Sequence, residues 1–363
     1  MRIIECIHAL EPGGAQRLLV DLSNELGNTD EVIVLTLKNR SELKEDFYLK
    51  QISRKVRFLS LNLSDGFHPL YPIRIYNMIK RLHPDVVHIH CIVQYFLLAI
   101  LCYRKCCYVQ TLHSEAECGV VRYLHNIWKW LLKSGMLHVV TISPTNRESF
   151  RKYFHLTCDT LIYNGRKQPE KSKCFETVAT YAESLKKYPD DTLLLSVARS
   201  APPKNIGMLI SVVNKLAEKG EHLQLLLIGD YESDELGRQW MSSAGPAVHL
   251  IGVVENVADW FCLCDAFCLS SLYEGMPITL IEALCCRCVP VCTPCSGVVD
   301  VIEDGRTGFI SRSFSEEDYT EAIIRFLRNR DLIDQEALYE IYMSRFSIES
   351  CASRYKQLFG RLS

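Results

Sequence analysis

Residues 270–283 read Ser270-Ser271-Leu272-Tyr273-Glu274-Gly275-Met276-Pro277-Ile278-Thr279-Leu280-Ile281-Glu282-Ala283. The apolar run Ala266–Leu269 just before them has the length of a buried strand. Gly275 and Pro277 punctuate a turn, and Pro277 suits the first helical position, where its missing N–H has no partner to lose. Helical spacing starts at Ile278, so the stretch reads as strand, turn and helix. Glu274 then stands in the turn at the strand's carboxyl end, the edge where open α/β sheets bind ligands. Glu282 follows eight residues on, about 12 Å along the axis if the whole interval were helical at ~1.5 Å per residue. Carboxylates that far apart cannot share a proton. Each can instead accept hydrogen bonds from hydroxyls at a different part of one extended ligand, and a sugar nucleotide has that shape.

Working outward, the chain of 363 residues is long for one core and comfortable for two domains. Its 48% hydrophobic and 23% charged residues are ordinary for a globular protein. No leader precedes the strand-like run Arg2–Ile7, and the longest apolar stretch, Cys91–Cys102, includes Gln94 and is too short to cross a bilayer. Many of the 17 cysteines lie inside apolar runs, as reduced thiols do. The expectation is a cytoplasmic protein. The net charge of −2 hides an asymmetry: 22 Lys and Arg against 15 Asp and Glu in residues 1–168, and 19 against 28 beyond them. A basic first half could face phosphates or an anionic membrane surface, or could simply be solvated.

The first half alternates strand-like and helix-like runs. Strands are expected at Ile3–His8, Val32–Leu37, Val56–Leu59, Val86–His90, Cys107–Leu112, Val139–Ile142 and Thr160–Tyr163. Helices are expected at Gln16–Leu26, Pro72–Leu82, Val93–Tyr103, Tyr123–Leu132 and Thr145–Phe154. After Asn164-Gly165 a polar linker, Arg166 to Lys173, precedes a restart of the alternation. Thr192–Ala198, Leu223–Ile228 and Val248–Ile251 read as strands, and Ile206–Ala217 as a helix. Two α/β halves of similar construction follow, each a doubly wound parallel sheet of Rossmann type.

The spacing of Glu274 and Glu282 resembles the Glu-x7-Glu motif of the retaining family 4 glycosyltransferases, also called glycosyltransferase group 1. The resemblance implies the GT-B fold, two Rossmann-like domains facing a central cleft. It assigns Glu274 to the donor sugar and Glu282 to the nucleotide ribose, with Gly275, Met276 and Pro277 in the same loop. Arg199 and Lys204 lie between a strand and a helix, where two cations could grip a diphosphate. They match the family's Arg and Lys at the donor diphosphate. Gly13-Gly14-Ala15-Gln16-Arg17 is not the dinucleotide fingerprint G-x-G-x-x-G. It resembles the family's Gly-Gly-Ala-Glu-Arg element, with Gln16 in place of Glu, which implies that Gly13 and Gly14 approach the donor phosphate; a plain strand–helix turn is the other reading. His113 ends a strand and matches the family histidine that reaches the donor sugar, and by sequence it could equally be a structural loop residue. Within Leu250-Ile251-Gly252-Val253-Val254, Val253 or Val254 matches the backbone contact to the nucleobase. Arg287 stands where the family commonly has Gly, and Ser296 replaces the first Gly of a pair ending in Gly297.

Three further groups carry competing readings. His88 and His90 share one face of a strand and could hold a metal, but no third ligand is evident. Cys285, Cys288, Cys292 and Cys295 have the spacing C-x2-C-x3-C-x2-C, yet they span a helix end, a buried strand and a loop, so small core residues are favoured over metal ligands. The segment Arg122–Lys133 mixes Trp, Leu and Lys at helical spacing, which suits either a half-buried helix or a membrane interface.

The expectation is a retaining, metal-independent glycosyltransferase that takes a nucleotide sugar, most readily a UDP-sugar, and needs no cofactor. The acceptor would be a carbohydrate or lipid-linked hydroxyl in polysaccharide or glycolipid assembly, with no nucleic acid partner. Glu274, His113, Arg199 and Lys204 carry the catalytic roles. The N-terminal domain, residues 1–166, would bind acceptor; residues 167–345 would bind donor; residues 346–363 would form a helix crossing back to the first domain. A GT-B epimerase and a silent nucleotide-sugar binder are the alternatives.

Overall fold

The computed structural model describes residues 1–40, 45–64, 68–90, 93–114, 116 and 124–363. It comprises two compact units, Met1–Lys167 together with Arg345–Ser363, and Gln168–Ser344.

The first unit holds a seven-stranded parallel sheet of β1 (Arg2–Ile7), β2 (Glu31–Thr36), β3 (Arg57–Ser60), β4 (Val86–His90), β5 (Cys107–Leu112), β6 (His138–Thr141) and β7 (Asp159–Leu161). Its order is β3-β2-β1-β4-β5-β6-β7. Strands such as Glu31-Val-Ile-Val-Leu-Thr36 are near-continuous aliphatic runs because helices cover both faces of a parallel sheet. The order reverses between β1 and β4, which opens a crevice at their carboxyl ends. The last helix, Ile348–Leu362, lies against the helix Gly14–Leu26, and the Tyr355 hydroxyl meets Thr111 Oγ1 of β5 at 2.8 Å.

The second unit holds six parallel strands, β8 (Thr192–Val197), β9 (Leu223–Ile228), β10 (Val248–Gly252), β11 (Ala266–Leu269), β12 (Val289–Cys292) and β13 (Phe309–Ile310). The order β10-β9-β8-β11-β12-β13 places its reversal between β8 and β11. Arg199 and Lys204 follow β8 and Glu274 follows β11, so chain topology alone brings them to one crevice.

The seven strands expected in the first half are all present, displaced at their ends by no more than two residues. The helix expected at Val93–Tyr103 begins as a 3-10 turn, Val93–Phe96, and is α-helical only over Leu97–Cys102. The helix expected at Tyr123–Leu132 runs His125–Lys133, while Arg122 and Tyr123 lie outside the described residues, as does Cys91. Pro277 sits one place earlier than expected, at the N-cap with ψ 118°, so helical geometry begins at Ile278. Among the described residues no helix is long and apolar enough to cross a membrane.

Candidate active site

In the second unit two loops meet at the β8/β11 crevice. After β8, Pro202–Lys204 forms a 3-10 turn, and Asn205 (φ 52°) turns the chain into the helix Ile206–Glu218. After β11, the Leu272 N–H donates to Pro203 O (2.8 Å) and the Ser270 hydroxyl to Lys204 O (2.9 Å), which stitches the second loop to the first. These bonds deliver Lys204 Nζ to 2.5 Å from Glu274 Oε1, and the Ser271 hydroxyl donates to the same oxygen at 2.7 Å. The pair is mostly shielded, with side-chain exposures of 25% and 13%, so its attraction is screened less than that of a surface pair.

The backbone beneath Glu274 is fixed as well. The Ser296 hydroxyl donates to Glu274 O at 2.5 Å, a contact that Gly at this position would lack. Gly297 has φ 80°, and a Cβ there would run into the Gly275 carbonyl oxygen, so only glycine lets the two loops approach this closely. Met276 and Pro277 are buried in this contact, and Gly275 is half-buried. Glu282 is half-buried on the helix Ile278–Cys285, whose apolar face carries Leu280, Ile281 and Leu284 inward. Arg199 is exposed and its guanidinium has no partner among the described residues. The adjoining Ser200 hydroxyl is held by Asp234 Oδ1 at 2.8 Å. Val253 is exposed and Val254 half-buried where β10 ends at Gly252 (φ 83°).

Arg287 occupies the left-handed region expected of the family's Gly, with φ 61°. The turn survives because its guanidinium forks onto Glu336 (2.8 and 3.0 Å) and stacks on the Tyr339 ring. Cys285, Cys288, Cys292 and Cys295 are buried and dispersed over the end of that helix, the strand β12 with its approach, and the loop beyond.

In the first unit, Gly13 is the N-cap of the helix Gly14–Leu26 and carries no side-chain cap. The Gln16 side chain folds back over it, where a Cβ on Gly13 would collide with Gln16 Oε1. Gly14 is exposed at the helix N-terminus, whose free N–H groups favour an anion.

His113 is half-buried just after β5. Its Nε2 lies 2.8 Å from His90 Nδ1, and His90 Nε2 lies 2.8 Å from Glu5 Oε2. His88 Nδ1 is also 2.8 Å from that oxygen, and its Nε2 meets Thr111 Oγ1 at 2.7 Å. The histidine pair therefore does have a third partner, which the sequence left unidentified. Glu5 stands directly beside His88 in the β1–β4 register. The one available signal was a single carboxylate inside an otherwise apolar strand. Burial alone would raise the Glu5 carboxyl, but the adjoining imidazoles outweigh it and hold it at about 2. Burial pushes His90 down to about 4, helped by His88, and pushes His113 well below the ordinary histidine range, helped by His90 and His88.

The family models for glycosyl transferases group 1 and for glycosyltransferase family 4 match residues 178–340 and 12–166 respectively. The chain belongs to the family 4, group 1 glycosyltransferases. A probable sucrose-phosphate synthase of Thermosipho melanesiensis is 26% identical over 192 residues, which are 48% of this chain and 44% of that protein. Against the first several such relatives the chain spans about half of their length. The alpha-monoglucosyldiacylglycerol synthase of Acholeplasma laidlawii is 24% identical over 80% of both chains. Among solved structures, Anabaena HepE in complex with UDP and glucose superposes with a TM-score of 0.80 at 14% identity, covering 99% of this chain and 100% of its own. This family member has the GT-B type of fold, with two parallel-sheet α/β domains.

Proposed function

We propose that this family member transfers a sugar from a nucleotide donor, a UDP-sugar, to an acceptor hydroxyl with retention of configuration. The observation that carries the reading is the Lys204–Glu274 contact at the β8/β11 crevice, in the loop that also carries Arg199, whose guanidinium has no partner among the described residues. A departing diphosphate needs positive charge fixed in advance, because charge grows on it as the glycosidic bond breaks. Arg199 has guanidinium donors uncommitted, and Lys204 would share its ammonium between Glu274 and phosphate oxygens. Glu274, accepting from Lys204 and Ser271, keeps Oε2 for a sugar hydroxyl. Glu282 would take the ribose, Val254 the base, and Gly13 and Gly14 the phosphate from the first unit, with His113 on the sugar. Two cations at the diphosphate can supply the stabilisation that a metal gives elsewhere, so metal independence is part of the proposal.

The UDP-sugar assignment is supported by HepE, which was solved with UDP and glucose and with UDP-glucose. A carbohydrate or lipid-linked acceptor is supported by relatives named for capsular polysaccharide biosynthesis and for diphospho-undecaprenol substrates. Peripheral membrane contact, at the inner face, falls to the helix His125–Lys133. There Ile127 and Trp130 are exposed at 43% and 49%, beside Lys129 and Lys133, while Trp128 is buried.

A thermal-shift screen of UDP, GDP, ADP, CMP and dTDP with their common sugars, on wild type and Glu282→Ala, tests the reading. Stabilisation by UDP and a UDP-sugar, lost in the variant, is expected. No stabilisation by any of them overturns it.

A further inference from the structure

Glu5, His90 and His113 form a chain in which each link admits one hydrogen. Glu5 is fully buried and ionised, so its carboxylate has no hydrogen to give and His90 donates from Nε2 (2.8 Å). His90, held at about 4 by burial and His88, is uncharged at neutral pH, which leaves its Nδ1 bare. His113 then donates to that nitrogen from its own Nε2 at 2.8 Å. The remaining nitrogen, His113 Nδ1, carries a lone pair and has no partner among the described residues.

We propose that Glu5 and His90 are positioning residues: the Glu5–His90–His113 chain locks the His113 ring in its Nε2–H tautomer and presents Nδ1 as a hydrogen-bond acceptor to a hydroxyl of the donor sugar. A second nitrogen fixed by its partner is the usual way a protein sets which nitrogen of a histidine acts. The ligand's identity rests on the glycosyltransferase reading above; the chain itself does not. The rings of His90 and His113 also stack, with centroids 5.1 Å apart and planes 20° apart.

Glu5, His88 and His90 also bring three ligand atoms within 4.8 Å, which raises a cation site as the rival. The spacing speaks against it. Glu5 Oε2 is 2.8 Å from both imidazole nitrogens. Ligands held at ~2.1 Å from an ion in a tetrahedral spread would stand about 3.4 Å apart. The His90 contact is a well-directed hydrogen bond; the His88 Nδ1 contact is off line, and Glu5 Oε1 has no partner among the described residues. His88 instead serves as a wall, its ring held by Thr111 and packed 4.8 Å from the Tyr355 ring.

Nitrogen-15 NMR of the imidazole rings in wild type at pH 7 reads the chain directly. His90 and His113 are each expected to carry hydrogen on Nε2 alone. In Glu5→Gln the amide can donate as well as accept, so the chain loses its direction and His113 is expected to populate the Nδ1–H form. In the same variant kcat/KM for the UDP-sugar found in the screen falls about tenfold or more, the worth of one well-made hydrogen bond, while affinity for UDP alone stays within about twofold. A His113 Nδ1–H tautomer in wild type overturns the proposal. So does a tautomer change in the variant with no loss of kcat/KM, or an equimolar metal in protein purified without chelator. If wild type binds no nucleotide at all, the transferase reading falls while the ring nitrogens still decide the chain.

Discussion

The burial of His90 makes the first unit acid-sensitive by a calculable amount. Its imidazole is held at about 4 in the folded chain against an ordinary 6.5, by burial first and by His88 second. Between those values the unfolded chain binds a proton that the folded chain refuses, so folding weakens as pH falls through this window and is unaffected above it. From pH 7 to pH 5 the linkage expression with these two values amounts to about 2 kcal/mol. For a unit of this size that is a fall in Tm of about 4–8 °C. In the same unit His113 and His138 are also lowered, so they add in the same direction. Glu5 has the opposite dependence on charge but acts elsewhere: held at about 2 against 4.5, its contribution is present above pH 4.5 and is lost only below it. Scanning calorimetry at pH 7 and pH 5 on wild type and His90→Gln isolates the term, because Gln can still donate to Glu5 and does not titrate. The acid-induced fall should be smaller in the variant by about 4–8 °C, whatever the variant's stability at pH 7. An equal fall in both proteins refutes the reasoning.

Three further outcomes follow from the geometry. Glu274→Gln keeps the shape of the side chain but removes the charge that meets Lys204 at 2.5 Å; kcat should fall about 10²–10³-fold with UDP affinity little changed, as steady-state kinetics and calorimetric titration would show. Gly297→Ala places a Cβ against Gly275 O at φ 80°, so it should cost about 1–3 kcal/mol in denaturant unfolding and weaken UDP binding in proportion to the displaced loop. Ile127→Ser combined with Trp130→Ser removes exposed apolar surface without touching the buried Trp128, and should reduce co-sedimentation with anionic vesicles while leaving UDP binding unchanged.

The sheets were legible because parallel strands covered on both faces are spelled as unbroken Val, Ile and Leu, and because turns such as Gly275–Pro277 punctuate them. The contact between Lys204 and Glu274 was legible only as two motif positions 70 residues apart; the sheet order, with β8 beside β11, is what closes that distance. What was not legible depends on register between distant strands. Glu5 and His90 are 85 residues apart, and nothing local marks them as partners. Arg287 and Ser296 looked like departures from the family pattern. Arg287 keeps the left-handed turn with the help of Glu336 and Tyr339, and Ser296 adds a hydroxyl that holds Glu274 O, so each substitution came with its own new contact.

The central claim is transfer of a sugar from a nucleotide at the β8/β11 crevice, and release of nucleoside diphosphate measures it most directly. Wild type, Glu274→Gln and Lys204→Met would each be incubated with a panel of nucleotide sugars and a lipid-linked oligosaccharide extract, with the diphosphate quantified and the anomeric configuration of the product read by NMR. Release of UDP from one UDP-sugar, dependent on the extract, retaining in its product and slowed about a hundredfold or more in both variants, is the predicted result. UDP release undiminished in the variants, or no release from any donor, would contradict it.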